Sequence, residues 1–458
     1  MVEISNVTCA KSGRKLFQNF NWEIRDREHW LITGANGSGK TILLELLAGI
    51  QHVQEGSIRY DFVTGTTWEE QFDQRRQLIQ YIPAHAIRSL IPSDGDQYYQ
   101  QRYYSLGDEI NVVKVRDVLA GDIHHFQKLD VPSTFDIEPL LDLDVKRLSN
   151  GQLKKVLILQ RLLRHLPKLL LLDYPFEGLD RASRKDLCDF IDFITDAYTV
   201  CVIIVDQGHE LPRCITHRLV LERFAIQAQG EYEHPGDVKK VVASRSNGRI
   251  HSDEAIVDIR NLSIKYGDTV ILENFNWTVR RGERWAMVGR NGSGKTTVFS
   301  ILYADHPMAY SQEVYLFGRR RGSGESIWDI KNRINYMGPE KVSYLNPQYM
   351  TMTAVEFVAA RDLAKLRELI DFFDGGSFFE RPMRELSSGQ LQLVLLIGCF
   401  MSARELLLLD EPFQFLDTRQ RDRVAEYLQK YMREDATLVL ITHYDEDLAR
   451  WTEKTIRL

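Results

Sequence analysis

Sliding the 458-residue sequence along itself by 255 positions lays Val2 to Thr41 over Val257 to Thr296 without a gap. Asn19-Phe20-Asn21-Trp22 falls on Asn274-Phe275-Asn276-Trp277, and Trp30 falls on Trp285. Solenoid repeats run to about 20 to 50 residues, so a unit this long is a duplicated domain. The chain is therefore expected to fold as two similar units, each large enough to bury its own core. Gly230 to Glu254, between the copies, is polar, mixed in charge and without an apolar period. The expected organisation is a first domain at 1–229, a linker at 230–254 and a second domain at 255–458.

Within each copy, short β-rich runs such as Trp30 to Thr33 and Leu169 to Leu172 alternate with amphipathic stretches such as Leu153 to Leu166, which stops before Pro167. That alternation predicts an α/β fold, a mainly parallel sheet covered by helices. Lys and Arg total 58 against 64 for Asp and Glu, and the net charge of -6 offers no field for a phosphate backbone, so nucleic acid is not an expected partner. The five cysteines, Cys9, Cys188, Cys201, Cys214 and Cys399, are odd in number and widely spaced, which suits free thiols in a reducing compartment. The amino terminus carries no basic leader with an apolar run, and nothing reaches the roughly 18 apolar residues of a membrane span. The expected location is cytoplasmic, or peripheral on the cytoplasmic face of the inner membrane through a separate subunit.

Each copy places a strand before a glycine-rich loop that ends in Lys and Thr. The first is Gly34-Ala35-Asn36-Gly37-Ser38-Gly39-Lys40-Thr41, and the second is Gly289-Arg290-Asn291-Gly292-Ser293-Gly294-Lys295-Thr296, followed by Thr297. Glycines let successive backbone N–H groups curl round a phosphate at a helix N-terminus, the lysine neutralises the β- and γ-phosphates, and the threonine hydroxyl ligates Mg²⁺. A single such loop can arise by chance, but two in register after apolar strands cannot reasonably do so. Further on, Leu169 to Leu172 and Leu406 to Leu409 end in Asp173 and Asp410, the carboxylates expected to hold the Mg²⁺ shell. ATP and Mg²⁺ are the expected ligands, with Thr41, Asp173, Thr296 and Asp410 on the metal.

Ahead of each of these strands lies a polar loop that opens a helix, LSNGQ at Leu148 to Gln152 and LSSGQ at Leu386 to Gln390. With this set in order the chain resembles the ABC ATPase superfamily, whose signature is LSGGQ; only Asn150 and Ser388 depart from it. A capped helix start is the plainer account of either loop alone. The resemblance covers roughly Val2 to Leu221 and Ile256 to Leu458. It implies two tandem P-loop NTPase domains, each with a mainly parallel sheet, a small antiparallel β part and a helical subdomain. It further implies a head-to-tail pair in which the signature of one domain closes on the ATP of the other. Leu316-Phe-Gly-Arg-Arg-Arg-Gly-Ser-Gly-Glu-Ser-Ile-Trp-Asp-Ile-Lys331 is similar to the second domain of the tandem ATPases of the molybdenum-transport ModF and photorepair protein family. Taken by themselves, Arg319 to Arg321 suggest a solvated basic turn and Gly322-Ser-Gly324 a tight bend.

Hydrolysis needs a base or water-orienting group beside the γ-phosphate. By the resemblance, the second copy supplies Glu411 directly after Asp410 and His443 at the end of a later strand, while the first has Tyr174 and Gln207 in those places. A phenol with a pKa near about 10 is a poor base at neutral pH. His209 is an alternative imidazole for the first site, although an exposed loop histidine is the plainer account. The family's adenine-stacking aromatic is matched by Tyr266, and by Lys11 in the first copy, which implies weaker base binding there. The competent site is expected to combine Gly289 to Thr296, Asp410, Glu411 and His443, closed by Ser149, Gly151 and Gln152. The other combines Gly34 to Thr41 and Asp173, closed by Ser387, Gly389 and Gln390, and mainly holds ATP.

Two further departures bear on function. The segments Tyr81-Ile-Pro-Ala84-His85 and Tyr336-Met-Gly-Pro339-Glu340 lack the glutamine that the family uses in coupling to membrane partners. The first copy also spans 109 positions from Lys40 to Ser149 against 92 from Lys295 to Ser387, with four tyrosines in Gln97 to Tyr104 that suit either contact with a base or protein, or packing of an irregular insert. The leading expectation is the ATP-hydrolysing subunit of a transporter with a separate membrane permease, its solute by resemblance molybdate or a related oxyanion. The alternative is a soluble ABC ATPase acting in translation, regulation or repair; against the ribosomal group, the roughly 25-residue linker is too short for a long α-hairpin.

Overall fold

The leucine tetrads form fully buried strands in a computed structural model that describes residues 1–11, 14–84, 86, 113–119, 138–145, 148, 150–164, 166–206, 210–234, 252–266, 269–290, 292–338, 347–358, 362–402, 404–430, 436–442 and 452–458. The tyrosine-rich segment 97–104 and most of the expected linker lie outside them. The chain divides into two compact units, with Met1–Ser93 and Asn111–Val238 in the first and Lys239–Leu458 in the second.

In chain order the first unit contains β1 (Val2–Thr8), β2 (Phe20–Ile24), β3 (Trp30–Gly34), α1 (Lys40–Leu47), β4 (Glu55–Tyr60), β5 (Ile79–Ile82), α2 (Asn150–Arg164), β6 (Leu169–Asp173), β7 (Cys201–Val205), β8 (His217–Glu222) and β9 (Ala225–Glu231). Its main sheet has the order β9-β8-β3-β7-β6-β5. Every pairing is parallel except the β8–β9 hairpin. Gly230 and Glu231, at the start of the expected linker, complete β9, and the Tyr232 N–H then donates to Thr216 O at 2.8 Å. A smaller antiparallel sheet has the order β2-β1-β4.

The second unit repeats this plan with β10 (Ala255–Tyr266), β11 (Thr269–Arg280), β12 (Arg284–Val288), α3 (Lys295–Leu302), β13 (Glu313–Leu316), β14 (Arg319–Arg320), β15 (Ile334–Met337), α4 (Ser388–Phe400), β16 (Leu406–Asp410), β17 (Thr437–Ile441) and β18 (Lys454–Arg457). Its parallel sheet has the order β15-β16-β17-β12-β18, and its antiparallel sheet the order β11-β10-β13-β14. In both units the P-loop strand lies between the corresponding strands, β7 and β8 in the first and β17 and β18 in the second, and the apolar runs are covered on both faces as parallel sheets require. All five residues of β6, β7, β16 and β17 are buried. In the second unit the helical part packs Leu366, Leu369, Phe373 and Phe379 against α4, whose Leu393 to Ile397 are all buried.

The repeated Asn-Phe-Asn-Trp has a structural purpose. Strand register shifts between Ile4 and Val7 in β1 and between Ile259 and Leu262 in β10. At these bulges Asn6 and Asn261 take left-handed φ of 51° and 47°, a region where asparagine is better tolerated than most residues. Asn21 Oδ1 accepts from the Asn6 N–H, and Asn276 Oδ1 from the Asn261 N–H, both at 2.9 Å. Trp22 and Trp277 then meet Trp30 and Trp285 edge to face, at 5.2 and 5.6 Å, and so tie each small sheet to its P-loop strand.

Two sequence expectations change in detail. Helix α2 begins at Asn150, inside the signature loop, and ends at Arg164, short of Leu166. The Arg319 to Arg321 turn is solvated only in part. Arg319 and Arg320 are exposed, but Arg321 is buried with a 2.8 Å ion pair to Glu325, its guanidinium 4.8 Å from the Tyr310 ring centre.

If the asparagine bracket holds the bulge, Asn276→Ala lowers stability by about 1 kcal/mol. The urea midpoint followed by tryptophan fluorescence checks this, and Asn21→Ala gives a matching loss.

Candidate functional site

In each unit the site begins where the P-loop strand ends. Gly34 and Gly39 take φ of 141° and 105°, which a side chain tolerates poorly. A Cβ at Gly34 would stand 2.1 Å from Leu221 O, so the loop can close only around glycine. The lysine that follows folds back over the loop. Lys40 Nζ donates to Gly34 O at 2.8 Å and Ala35 O at 2.9 Å; Lys295 Nζ donates to Gly289 O at 2.7 Å and Arg290 O at 2.8 Å.

The next residue ties this loop to the buried strand. Thr41 Oγ1 donates to Asp173 Oδ2 at 2.9 Å, and Thr296 Oγ1 donates to Asp410 Oδ2 at 3.1 Å. Burial pushes both carboxyls up to about 6, opposed by the threonine bond and the nearby lysine ammonium. Folding therefore leaves a desolvated acid beside a hydroxyl oxygen, an arrangement that a hard dication relieves. One carboxylate plus a hydroxyl is the partial ligand set of Mg²⁺, which takes its remaining ligands from water and phosphate. No group of three or more His, Cys, Asp or Glu side chains among the described residues forms a metal cluster of its own. The hydroxyls of Ser38 and Ser293 are buried in the loops without a hydrogen-bond partner among the described residues, as donors reserved for a ligand would be. The loops and acids thus fit both triphosphate and metal.

The residue after each aspartate is strained in the same way. Tyr174 and Glu411 both have φ 50°, both are 7% exposed, and their N–H groups donate to Val205 O and Ile441 O at 2.9 Å. One scaffold thus presents a phenol in the first unit and a carboxylate in the second. Lys40 Nζ lies 6.0 Å from the centre of the Tyr174 ring.

Sequence reasoning missed the groups that hold this turn from behind. In the second unit Gln392 Nε2 donates to Glu411 O and Pro412 O, both at 3.1 Å. In the first, the buried Lys154 Nζ donates to Tyr174 O at 3.4 Å, Pro175 O at 2.8 Å and Glu177 O at 2.5 Å. Burial pulls Lys154 down to about 8, opposed by Glu177 and Asp206. The signal was present: laying Ser149 on Ser387 puts Lys154 on Gln392.

At the second signature, Ser387 caps α4. Its hydroxyl accepts from the Gln390 N–H at 3.3 Å, and Gln390 Oε1 accepts from the Ser387 N–H at 3.0 Å. The hydroxyl proton remains for a second acceptor. Gly389 lies in the first turn of the same helix, as Gly151 and Gln152 lie in α2. Ser149, Gln207, His209, Asn291, His443, His85, Pro339 and Glu340 lie outside the described residues, as do the side chains of Lys11 and Tyr266.

A family model described as ABC transporter matches residues 17–177 and 272–414, one stretch in each unit. An uncharacterized ABC transporter ATP-binding protein of Schizosaccharomyces pombe is 27% identical over 98% of this chain and 95% of its own length. The ABC transporter ATP-binding protein ModF of Escherichia coli is 28% identical over 97% of this chain and 94% of its own. Among solved structures, archaeal ABCE1 in a ribosome-bound model with Pelota is similar in fold, with TM-score 0.66, 20% identity, and coverage of 99% of this chain and 76% of that one. The RNase-L inhibitor gives TM-score 0.57 at 19% identity, covering 97% and 85%.

The raised aspartates carry a pH consequence. With an ordinary value of 3.8 and a folded value of about 6, Asp410 binds its proton more tightly when folded. The stability it contributes is present below its ordinary value and is lost as pH rises through 6. Asp410→Asn should therefore stabilise the nucleotide-free protein at pH 7.5, by about 3 kcal/mol at most, while removing its stabilisation by Mg²⁺ and ATP. Thermal unfolding with and without ligand reads both effects.

Proposed function

Because this chain belongs to the ABC transporter family, whose model spans the P-loop and buried aspartate of both units, we propose that it is an ATPase with one hydrolytic site, in the second unit, and one ATP-holding site in the first. The observation that carries this reading is the shared strained position after the aspartate, occupied by Glu411 in one unit and Tyr174 in the other. At neutral pH a carboxylate accepts the proton of a water attacking the γ-phosphorus, whereas a phenol keeps its own.

In the hydrolytic site the amides of Gly292 and Gly294 and the Ser293 hydroxyl hold the phosphates, and Lys295 leaves its carbonyl partners to neutralise them. Thr296 and Asp410 would hold Mg²⁺, which when bound supplies charge neutralisation for the phosphate oxygens. Glu411 orients and deprotonates the water, and His443 contacts the γ-phosphate. Tyr266 stacks on adenine, and the signature residues, Ser149, Gly151 and Gln152 in the first unit and Ser387, Gly389 and Gln390 in the second, are assigned to γ-phosphate contact.

The proposed use of the energy is transport through a separate permease, supported by similarity to ModF along nearly the whole chain and by the motif from Leu316 to Lys331. Resemblance to the ModF family supports molybdate or a related oxyanion as the solute. No helix among the described residues is long and apolar enough to cross a membrane. A second reading, a non-transport ATPase, is favoured by one observation: neither the segment after Tyr81 nor that after Tyr336 supplies the coupling glutamine.

Glu411→Gln should reduce steady-state turnover by about 100-fold or more and trap ATP, while Tyr174→Phe leaves turnover nearly unchanged. The reverse pattern would sink the assignment. Affinity purification of the trapped Glu411→Gln protein from membranes and from cytosol separates the two uses: a co-purifying polytopic protein supports transport, and ribosomes or a soluble complex support the other.

A further inference from the structure

The first unit has Lys11 where the second has Tyr266, the residue matched to base stacking. The surroundings of the glycine before each P-loop lysine differ in a related way. In the second unit a Cβ at Gly294 would lie 2.9 Å from Ile271 Cγ2 and 3.2 Å from Leu272 Cδ2. Both neighbours belong to β11, the arm that follows Tyr266 in the β10–β11 pair. In the first unit a Cβ at Gly39 would lie 2.6 Å from Phe224 Cδ1 and 2.9 Å from Phe17 Cζ. In the 255-residue repeat Phe17 is the counterpart of Leu272 and Leu16 that of Ile271, yet the atom nearest Gly39 belongs to Phe224, which lies outside that pairing.

Phe224 does not come from the repeated hairpin. It comes from the turn between β8 and β9, and that turn is fastened to the P-loop: the Phe224 N–H donates to Ser38 O at 2.9 Å. Arg223 and Phe224 have φ of 48° and 64°, two successive left-handed residues without a glycine. Such strain persists only where surrounding contacts impose it. The ring meets Phe17 edge to face at 5.7 Å, yet the residue stays half-buried, whereas Phe17 is fully covered.

Sheet order decides which end of a nucleotide faces this turn. β3, which leads into the P-loop, lies between β7 and β8, and β6 with Asp173 lies beyond β7. The metal-bearing phosphates belong on the Asp173 side. The base, at the other end of the ligand, belongs on the side of β8 and its turn.

We propose that Phe224 is the base-contacting residue of the first site, offering the aromatic face on which adenine stacks in place of a residue at Lys11. Aromatic faces accept any base, so the contact supplies affinity without reading hydrogen bonds. The inference rests on the reading that this site holds ATP.

The test is equilibrium binding to the full chain carrying Lys295→Ala, which disables the second P-loop, with ATP and inorganic tripolyphosphate as separate probes. Adding Phe224→Ala or Phe224→Leu should weaken ATP by about tenfold, Phe224→Tyr should retain it, and none should change tripolyphosphate binding. Equal losses for ATP and tripolyphosphate would mean that Phe224 only props the loop, and would overturn the proposal. So would unchanged ATP affinity in the Ala and Leu variants. If the Lys295→Ala chain binds tripolyphosphate and ATP to neither site, the ATP-holding reading fails first and takes this inference with it.

Discussion

The bond between a P-loop threonine and a buried aspartate is the contact on which the rest of each unit depends. It joins the first turn of α1 to the end of β6, and the first turn of α3 to the end of β16, across 132 and 114 residues of chain. To bring those partners together, two strands must lie in one sheet with only a single strand between them. The leucine strands β6 and β16 are apolar up to their aspartate because both faces are covered, and the aspartate is the point where the apolar run stops. An ionised carboxylate so placed is costly unless something positive or hydrogen-bonding meets it. The threonine and lysine offset part of that cost, and the remainder appears as a carboxyl raised to about 6. The fold holds a site whose electrostatics improve when a cation and a polyphosphate arrive.

Around that shared contact the two units have diverged as groups of residues. Behind the strained turn, the neutral Gln392 of one unit is answered by the charged Lys154 of the other, and the chain near it carries Glu177 and Asp206 where the second unit has Gln414 and Thr442. Burial opposes the charged form of Lys154, and the carboxylates of Glu177 and Asp206 favour it. A buried ammonium is tolerated when carbonyls and carboxylates surround it, and removing one member of such a set leaves the others uncompensated. The phenol at Tyr174 and the lysine behind it therefore belong to one altered environment. Phe224 fits the same pattern: the first unit has Lys11 where the second has Tyr266, and a different turn brings an aromatic ring to the loop.

Periodicity and motif reading reached the two units, their sheets, their phosphate loops and the contrast between Glu411 and Tyr174, because each rests on residues close together in sequence. The purpose of Asn21 and Asn276 escaped it. Their partners, Asn6 and Asn261, lie 15 residues away and matter only because a bulge brings them into register. Arg321 was expected in solvent because it stands in a basic run, but an ion pair to Glu325 and the Tyr310 ring give it a buried place. Lys154 was hidden because the copies align at one offset near the P-loop and at another near the signature, the first copy being longer between the two.

The sequence by itself determined the duplication, the α/β class, the two phosphate-binding loops and the chemical inequality of the residues that follow Asp173 and Asp410. These are local properties: glycine permits a closed loop, apolar runs demand burial, and a carboxylate differs from a phenol wherever it stands. Tertiary structure decided which distant groups serve those residues. Lys154 and Gln392 hold the turn, threonine meets aspartate, and the turn at Phe224 lies against Gly39. The physical reason is that hydrogen bonds, burial and ring contacts depend on distance in space, and strand order sets that distance.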